Sequence, residues 1–288
     1  FMGLGAVGYT RGPVLAVTAP EGGIWLMHRA RMSISASIQD AIGGQAGAVA
    51  SARMTGDRAG ISEATNEVMR ASNLYHIISI SGLHMGMLAG FVYNAMRLAL
   101  VLAEGLGLRG PIPMHKLAAA TAMAAAAIYL WLSGGGVATE RSFIMVAVML
   151  GAILADRRAI SLRPLTFAGV VILVYSPESI LSPGFQMSFA ATAALILSYG
   201  PWLRVAPRLP WWLRPVAMLL VSSFVAGMVT APIAAAHFNR MAQYGMIANL
   251  LAVPVMGTLV MPAGVIAALL GPLGLAAPAL WVMGIGTK

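Results

Sequence analysis

The chain has 288 residues, 59% of them apolar and only 9% charged. A soluble domain carries about 25% charged residues; with a mean hydropathy of +0.83, an ordinary globular protein is excluded and the composition is that of an all-α polytopic membrane protein. The absence of cysteine excludes disulfides, thiolate zinc sites and thiol catalysis, while the net charge of +9 fits either an anionic partner, nucleic acid or lipid headgroups, or the orientation signal of basic loops.

Residues 1–27 contain two short β-like runs, GLGAVGYTRGPVLAV and GGIWLM, separated by Gly and Pro. They read as the last strands of a β domain whose body lies upstream. A start at Phe1 and an end just after an apolar run give the chain the character of a piece of a longer polypeptide. Residues 28–72 are moderately polar. Met32, Ile34, Ile38, Ala41 and Ile42 recur at helical spacing, TGDRAG (55–60) is a turn, and Ser62 with Glu63 opens a short helix. This part is expected to lie on the membrane surface as interfacial amphipathic helices.

The membrane domain is expected over residues 73–288. Apolar segments follow at about 74–103, 117–133, 142–155, 162–176, 185–200, 215–236, 246–270 and 273–286, near the roughly 20 residues a bilayer core requires. They predict a bundle of 7–8 segments. The third and fourth are short for a straight crossing, which suggests tilted, broken or re-entrant helices. The connections at 97–116, 156–164 and 201–214 carry Arg97, Arg109, Lys116, Arg157, Arg158, Arg163, Arg204, Arg208 and Arg214; the alternate connections carry only Arg141 and Arg240. The basic set predicts a cytoplasmic face, with the N-terminal segment extracytoplasmic.

Four polar islands interrupt the apolar background. The first, HIISISGLHMG from residue 76, places His76, Ser79, Ser81 and His84 at a helix mouth. Ser81 and His84 are three apart and can meet on a helix. No nearby carboxylate completes a nucleophile–base set, and His76 and His84 are eight apart rather than at the four-residue spacing of a helical metal pair. Helix packing and lining of a polar path remain equally open readings. The second island, LSGGGVATERSFIM, sets Glu140 and Arg141 just before an apolar helix, as an ion pair marking its start or with Arg141 at an outer vestibule. The third, SPESILSPGFQMSFAAT, breaks at Pro183–Gly184 and brings Gln186 and Ser188 into a helix; Gln186 cannot face lipid cheaply. The fourth, AHFNRMAQYGMIANLLAVP, interleaves Phe238, Asn239, Arg240, Gln243, Tyr244 and Asn249. Aromatic groups beside cations suit stacked bases and phosphates; the plainer alternative is an aromatic belt. No phosphate-binding glycine motif, paired carboxylates or metal cluster is visible, so no catalytic residue, metal or cofactor is expected in these residues.

Taken in order, TGDRAGIS with NLYHIISISGLHMGMLAG, GGGVATERSFIM, PESILSPGFQMSFAATAALI and HFNRMAQYGMIANLLAVPVMGTLVMP resemble the membrane competence domain of the ComEC family, over residues 50 to about 275. The resemblance implies an inner-membrane channel that passes single-stranded DNA into the cytoplasm during natural transformation. It makes residues 1–27 the tail of an extracytoplasmic OB-like domain, and places any metallo-β-lactamase-like nuclease domain outside this stretch. It implies a channel lined by His76, Ser79, Ser81, His84, Gln186, Ser188, Asn239 and Asn249, with Arg141, Phe238 and Arg240 toward DNA phosphates at the outer mouth. The implied partners are single-stranded DNA, the lipid bilayer, a DNA receptor outside and a DNA motor inside; one chain or a homodimer remains open. Two other classes stand beside it: a secondary transporter of a small anionic solute, for which no clear inverted repeat is visible, and a membrane-embedded enzyme on lipid or peptide.

Overall fold

The computed structural model describes residues 24–72, 78, 80–107, 113–238 and 245–287. All regular structure among them is helical. Among the described residues, three helices precede the spans: α1 (Ile24–Ile42), α2 (Gly44–Thr55) and α3 (Glu63–Ala71). Then come α4 (Gly82–Gly105), α5 (Met114–Leu132), α6 (Val137–Leu154), α7 (Leu162–Tyr175), α8 (Pro183–Val205), α9 (Arg214–Phe238), α10 (Gly245–Val255), α11 (Met261–Leu270) and α12 (Ala277–Thr287). Among the described residues, six stretches are long and apolar enough to cross a bilayer: Gly82–Gly105, Met114–Leu132, Val137–Leu154, Pro183–Arg208, Arg214–Phe238 and Ile247–Leu270. The 14 residues of α7 and the 11 of α12 are apolar but shorter. The chain is a multi-pass helical membrane protein.

The segment order matches the sequence reading, and three boundaries depart from it. Residues 24–27, read as part of a β-like run, open α1 instead; the remainder of the expected OB-like tail lies outside the described residues. The first span begins at Gly82, with Ser81 in an extended conformation as its N-cap, so Ser81 precedes the span and His84 falls within its first turn. The third segment begins at Val137 after Gly136 and reaches 18 residues, which makes it a full-length span and puts Glu140 and Arg141 inside its first turn.

The core joins the beginning of the described chain to its end. Ile38 of α1 and Ala50 and Met54 of α2 are buried with Met256, Val260, Ala263, Ala267, Ala279, Leu280 and Met283. Residues Gly47 to Thr55 of α2 are all buried, so this helix is enclosed by protein where a surface helix was expected. Its GQAGAVASA composition permits that, because small side chains let backbones approach closely; the Met54 thioether rests where a Cβ on Gly264 would stand, 2.7 Å away. The turn from α1 to α2 is made by Gly43 and Gly44, both at positive φ (74° and 55°), a region glycine enters freely. α3 is polar and exposed apart from its contact side; Ser62 caps it by accepting from the Thr65 amide.

A second core layer packs α4 on α5 and α11 through Met85, Leu88, Ala126, Tyr129 and Met261, and a third packs α4, α5 and α6 through Ala89, Ala119, Ala122 and Leu150. α8 and α9 pair with each other and reach the rest through α7 and α10. Within their spanning windows none of the described residues is fully buried by protein. Between α10 and α11, residues 256–260 form one π-helical turn. Prolines at 254 and 262 flank it; Pro262 cannot donate to the carbonyl one turn earlier, and a widened turn accommodates that loss.

Candidate functional site

Several helix ends meet at one end of the bundle, and most of the buried polar side chains lie there. The α2 terminus is the centre. Arg53 is only 5% exposed, and its backbone carbonyl accepts a 2.6 Å hydrogen bond from the Tyr129 hydroxyl near the end of α5. Gly56 follows as the left-handed C-cap (φ 73°) and closes on the Ala52 carbonyl. A Cβ there would lie 2.6 Å from the Ser133 carbonyl oxygen. Only glycine allows the α2 and α5 ends this approach.

A hydroxyl network locks the same turn to α1. Ser35 donates to Asp57 Oδ2 at 2.6 Å, so its oxygen is left to accept, from Ser51 at 2.7 Å and from Gln39 Nε2 at 3.1 Å. Thr55 donates to the Ser51 carbonyl, and the Asp57 amide donates to Thr55 Oγ1. Ser35, Ser51 and Thr55 are fully enclosed. Buried hydroxyls are tolerated when each is bonded, and the result is a rigid knot at the base of the TGD turn.

The mouth of α4 adjoins this region. His84, 1% exposed, sits in the first turn, and its ring reaches back to Ser81: the Ser81 amide donates to Nδ1 at 3.2 Å and the hydroxyl lies 3.0 Å from the same nitrogen. This is a reciprocal cap in which histidine takes the place usual for Glu or Gln. An Nδ1 that accepts fixes the neutral ring's proton on Nε2. Across from it, the Ser142 hydroxyl stands 3.5 Å from where a Gly82 Cβ would be, and it donates to the Ala138 carbonyl at 2.6 Å. Ser142 and Thr139 are buried on α6.

Arg141 leads from α6 to α8. Its Nη2 lies 2.9 Å from the position a Gly184 Cβ would take, so the guanidinium covers the first turn of α8. Glu140 approaches Gly135 instead, and no ion pair joins it to Arg141. Arg31 of α1 covers Gly134 in the same glycine loop, where an added Cβ would overlap its Nη1. Arg31, Arg141 and Arg53 thus bring three cations to one end of the bundle.

The predicted lining residues are partly gathered here. Ser81, His84 and Arg141 share this end. Gln186 lies one turn into α8 and donates to the Ile180 carbonyl at 3.0 Å, fastening the 3-10 turn 177–181 to the helix. Ser188 is half-buried on the same helix, and its carbonyl accepts from Thr192. Asn249 belongs to α10, with its Oδ1 buried and without a hydrogen-bond partner among the described residues. Phe238 is the last residue of α9, 53% exposed, its ring 6.4 Å from that of His237. His76, Ser79, Asn239 and Arg240 lie outside the described residues. Sequence reading passed over Arg53, Tyr129, Ser35 and Ser51. For Arg53 a signal existed, a guanidinium two positions before the TGDRAG turn; for the serines there was none. No group of three metal-ligating side chains occurs among the described residues.

A bundle of spanning helices with a bonded, cationic polar end is the architecture of a multi-pass membrane protein. The chain belongs to the Competence protein family, whose pattern matches residues 54–288. It is 26% identical over 77% of its length to ComE operon protein 3 of Bacillus subtilis, 27% identical over 76% to the uncharacterised protein YcaI of Escherichia coli, and 26% identical over 72% to recombination protein 2 of Haemophilus influenzae. It spans only 26%, 29% and 26% of those proteins' lengths. No solved structure matches it.

Proposed function

We propose that this chain is the membrane-embedded conduit through which one strand of incoming DNA crosses the bacterial cytoplasmic membrane in natural transformation. The observation that carries the proposal is the family match over residues 54–288, which covers all six spanning stretches. The polar end supports it. A polyanion entering a bilayer requires hydrogen-bonding groups and few fixed negative charges, and Arg31, Arg53 and Arg141 gather near the mouths of α4, α6 and α8. Phosphate contacts of that kind give binding without sequence preference.

In this reading the polar end faces outward, toward a DNA receptor, with the N-terminal segment extracytoplasmic. The opposite end, rich in Arg and Lys, faces the cytoplasm and a DNA motor. Ser81, His84, Gln186, Ser188 and Asn249 line the path with His76, Ser79 and Asn239, and Arg141, Phe238 and Arg240 meet phosphates at the entrance. A second copy of the chain is a further partner in this reading.

The test is entry of labelled double-stranded DNA into the nuclease-protected cytoplasmic pool of a competent host, comparing the parent, a deletion, and the deletion complemented with wild type, His84→Ala or Arg141→Ala. Wild-type complementation restores entry; either variant lowers it at least tenfold at equal membrane abundance. Normal entry in both variants removes these residues from the path, and normal entry in the deletion removes the protein from DNA transport.

A further inference from the structure

A groove of about 1420 Å³ opens between α6, α7 and α8, running from Phe143 to a rim at the end opposite the polar site. Its walls are Phe143, Ala147, Gly151, Phe167, Val171 and Ile196. Along α6 it runs from Phe143 to Ala155, about 18 Å at 1.5 Å per residue, close to the depth of one leaflet of a core about 30 Å thick. It is open to the side: Phe167 is 60% exposed, and a Cβ added at Gly151 would meet nothing.

The rim differs in kind from the walls. Arg157, Arg158 and Arg163 line it, all exposed, and their guanidiniums make no ion pair or hydrogen bond among the described residues. The carboxylate in the rim, Asp156, is engaged elsewhere, by Lys116 at 2.5 Å and His115 at 3.1 Å, both on α5. α7 begins at the same mouth, with Ser161 at its N-cap position making no side-chain cap bond, and directs its positive end there.

We propose that this groove is a binding site for an anionic glycerophospholipid of the adjoining leaflet. One acyl chain lies along α6 and α7, and the phosphate sits among the three arginines. The charge pattern selects this occupant. A nucleic acid strand finds no hydrogen-bonding groups along the walls below the rim. A transmembrane helix leaves three guanidiniums without counter-charge. A lipid with one anionic head and an apolar tail satisfies both regions, and basic rims between membrane helices select anionic heads by charge. The proposal stands apart from the DNA reading, since it uses none of the polar-end residues.

Native mass spectrometry of the purified protein tests it, with phosphatidylglycerol and phosphatidylcholine of matched acyl chains. Wild type should retain one phosphatidylglycerol with a preference of about tenfold or more over the zwitterionic lipid. The triple variant Arg157→Gln, Arg158→Gln, Arg163→Gln should lose the preference, and Gly151→Leu, which fills the groove, should lower retention of both lipids. Thermal unfolding of each variant verifies that it is folded, and the two variants perturb rim and wall independently. Equal retention of both lipids by wild type, or an unchanged preference in the triple variant, overturns the site. So does displacement of the lipid by excess oligonucleotide, or a dimer that Gly151→Leu abolishes.

Discussion

The Tyr129 hydroxyl donates to the Arg53 carbonyl across 2.6 Å, between helices 76 residues apart in sequence. Both residues are buried, so the bond is shielded from water and its loss leaves a carbonyl without its donor. Tyr129→Phe should cost about 1–2 kcal/mol, the desolvation penalty of a buried orphan acceptor, read as a lower thermal unfolding midpoint in detergent. An unchanged midpoint means that another donor replaces the hydroxyl.

Gly56 should be the least replaceable residue of the same junction. Gly56→Ala forces a non-glycine residue into left-handed backbone, about 1–2 kcal/mol, and drives its Cβ into the Ser133 carbonyl at 2.6 Å. Overpacking of this kind adds roughly 1–3 kcal/mol. The yield of folded protein in membranes should fall sharply. Wild-type yield means that the α2 and α5 ends separate at little cost.

Ser81 and His84 form a cap, and that role can be separated from any role in transport. Ser81→Ala should destabilise the start of α4 by about 1 kcal/mol, as loss of an N-cap serine does. Hydrogen exchange confined to the first turn of α4 should rise. Exchange that is unaltered there refutes the cap.

Gly184→Ala examines Arg141 without touching it. The new methyl would sit 2.9 Å from Nη2, and a flexible side-chain end can yield. Membrane abundance should stay near wild type while DNA entry falls as in Arg141→Ala, and combining the two should add nothing, as for residues that act through one contact. Additive losses would separate the two positions.

Asp156 gives a pH-dependent contact at the basic end. Hydrogen bonds from Lys116, then His115, hold its carboxyl below the usual carboxylate range. A depressed folded-state pKa contributes stability above the unfolded value, near 3.9, and that stability is lost as pH falls through the lower folded one. The unfolding midpoint of wild type should therefore fall more steeply than that of Asp156→Asn between about pH 5 and 3. Parallel curves mean that the exposed contact contributes nothing.

Apolar runs made the membrane segments legible. The segment expected at 162–176 is α7 at Leu162–Tyr175, and the one at 117–133 is α5 at Met114–Leu132. Polar islands marked helix starts, because glycine, proline and hydroxyl residues interrupt apolar runs where caps and turns form. The burial of α2 was not legible: its Gly and Ala residues carry no apolar stripe, and what encloses them is α12, more than 200 positions later. Nor was the Ser35–Ser51–Asp57 network, since single hydroxyls at ordinary helix positions acquire meaning only when two helices align. Arg53 stood beside a visible turn, yet a lone arginine near a loop reads as exposed.

The contact of α1 and α2 with α12 has a consequence for biosynthesis. Met54, Ala50 and Ile38 leave the ribosome early, whereas Leu280 and Met283, which complete their core, are made after every intervening span. Until α12 arrives, the early helices have an unfilled apolar face. Such late closure exposes a nascent chain to misassembly and to proteolysis. Substitutions in the eleven residues of α12 are thus expected to act on assembly of the whole bundle.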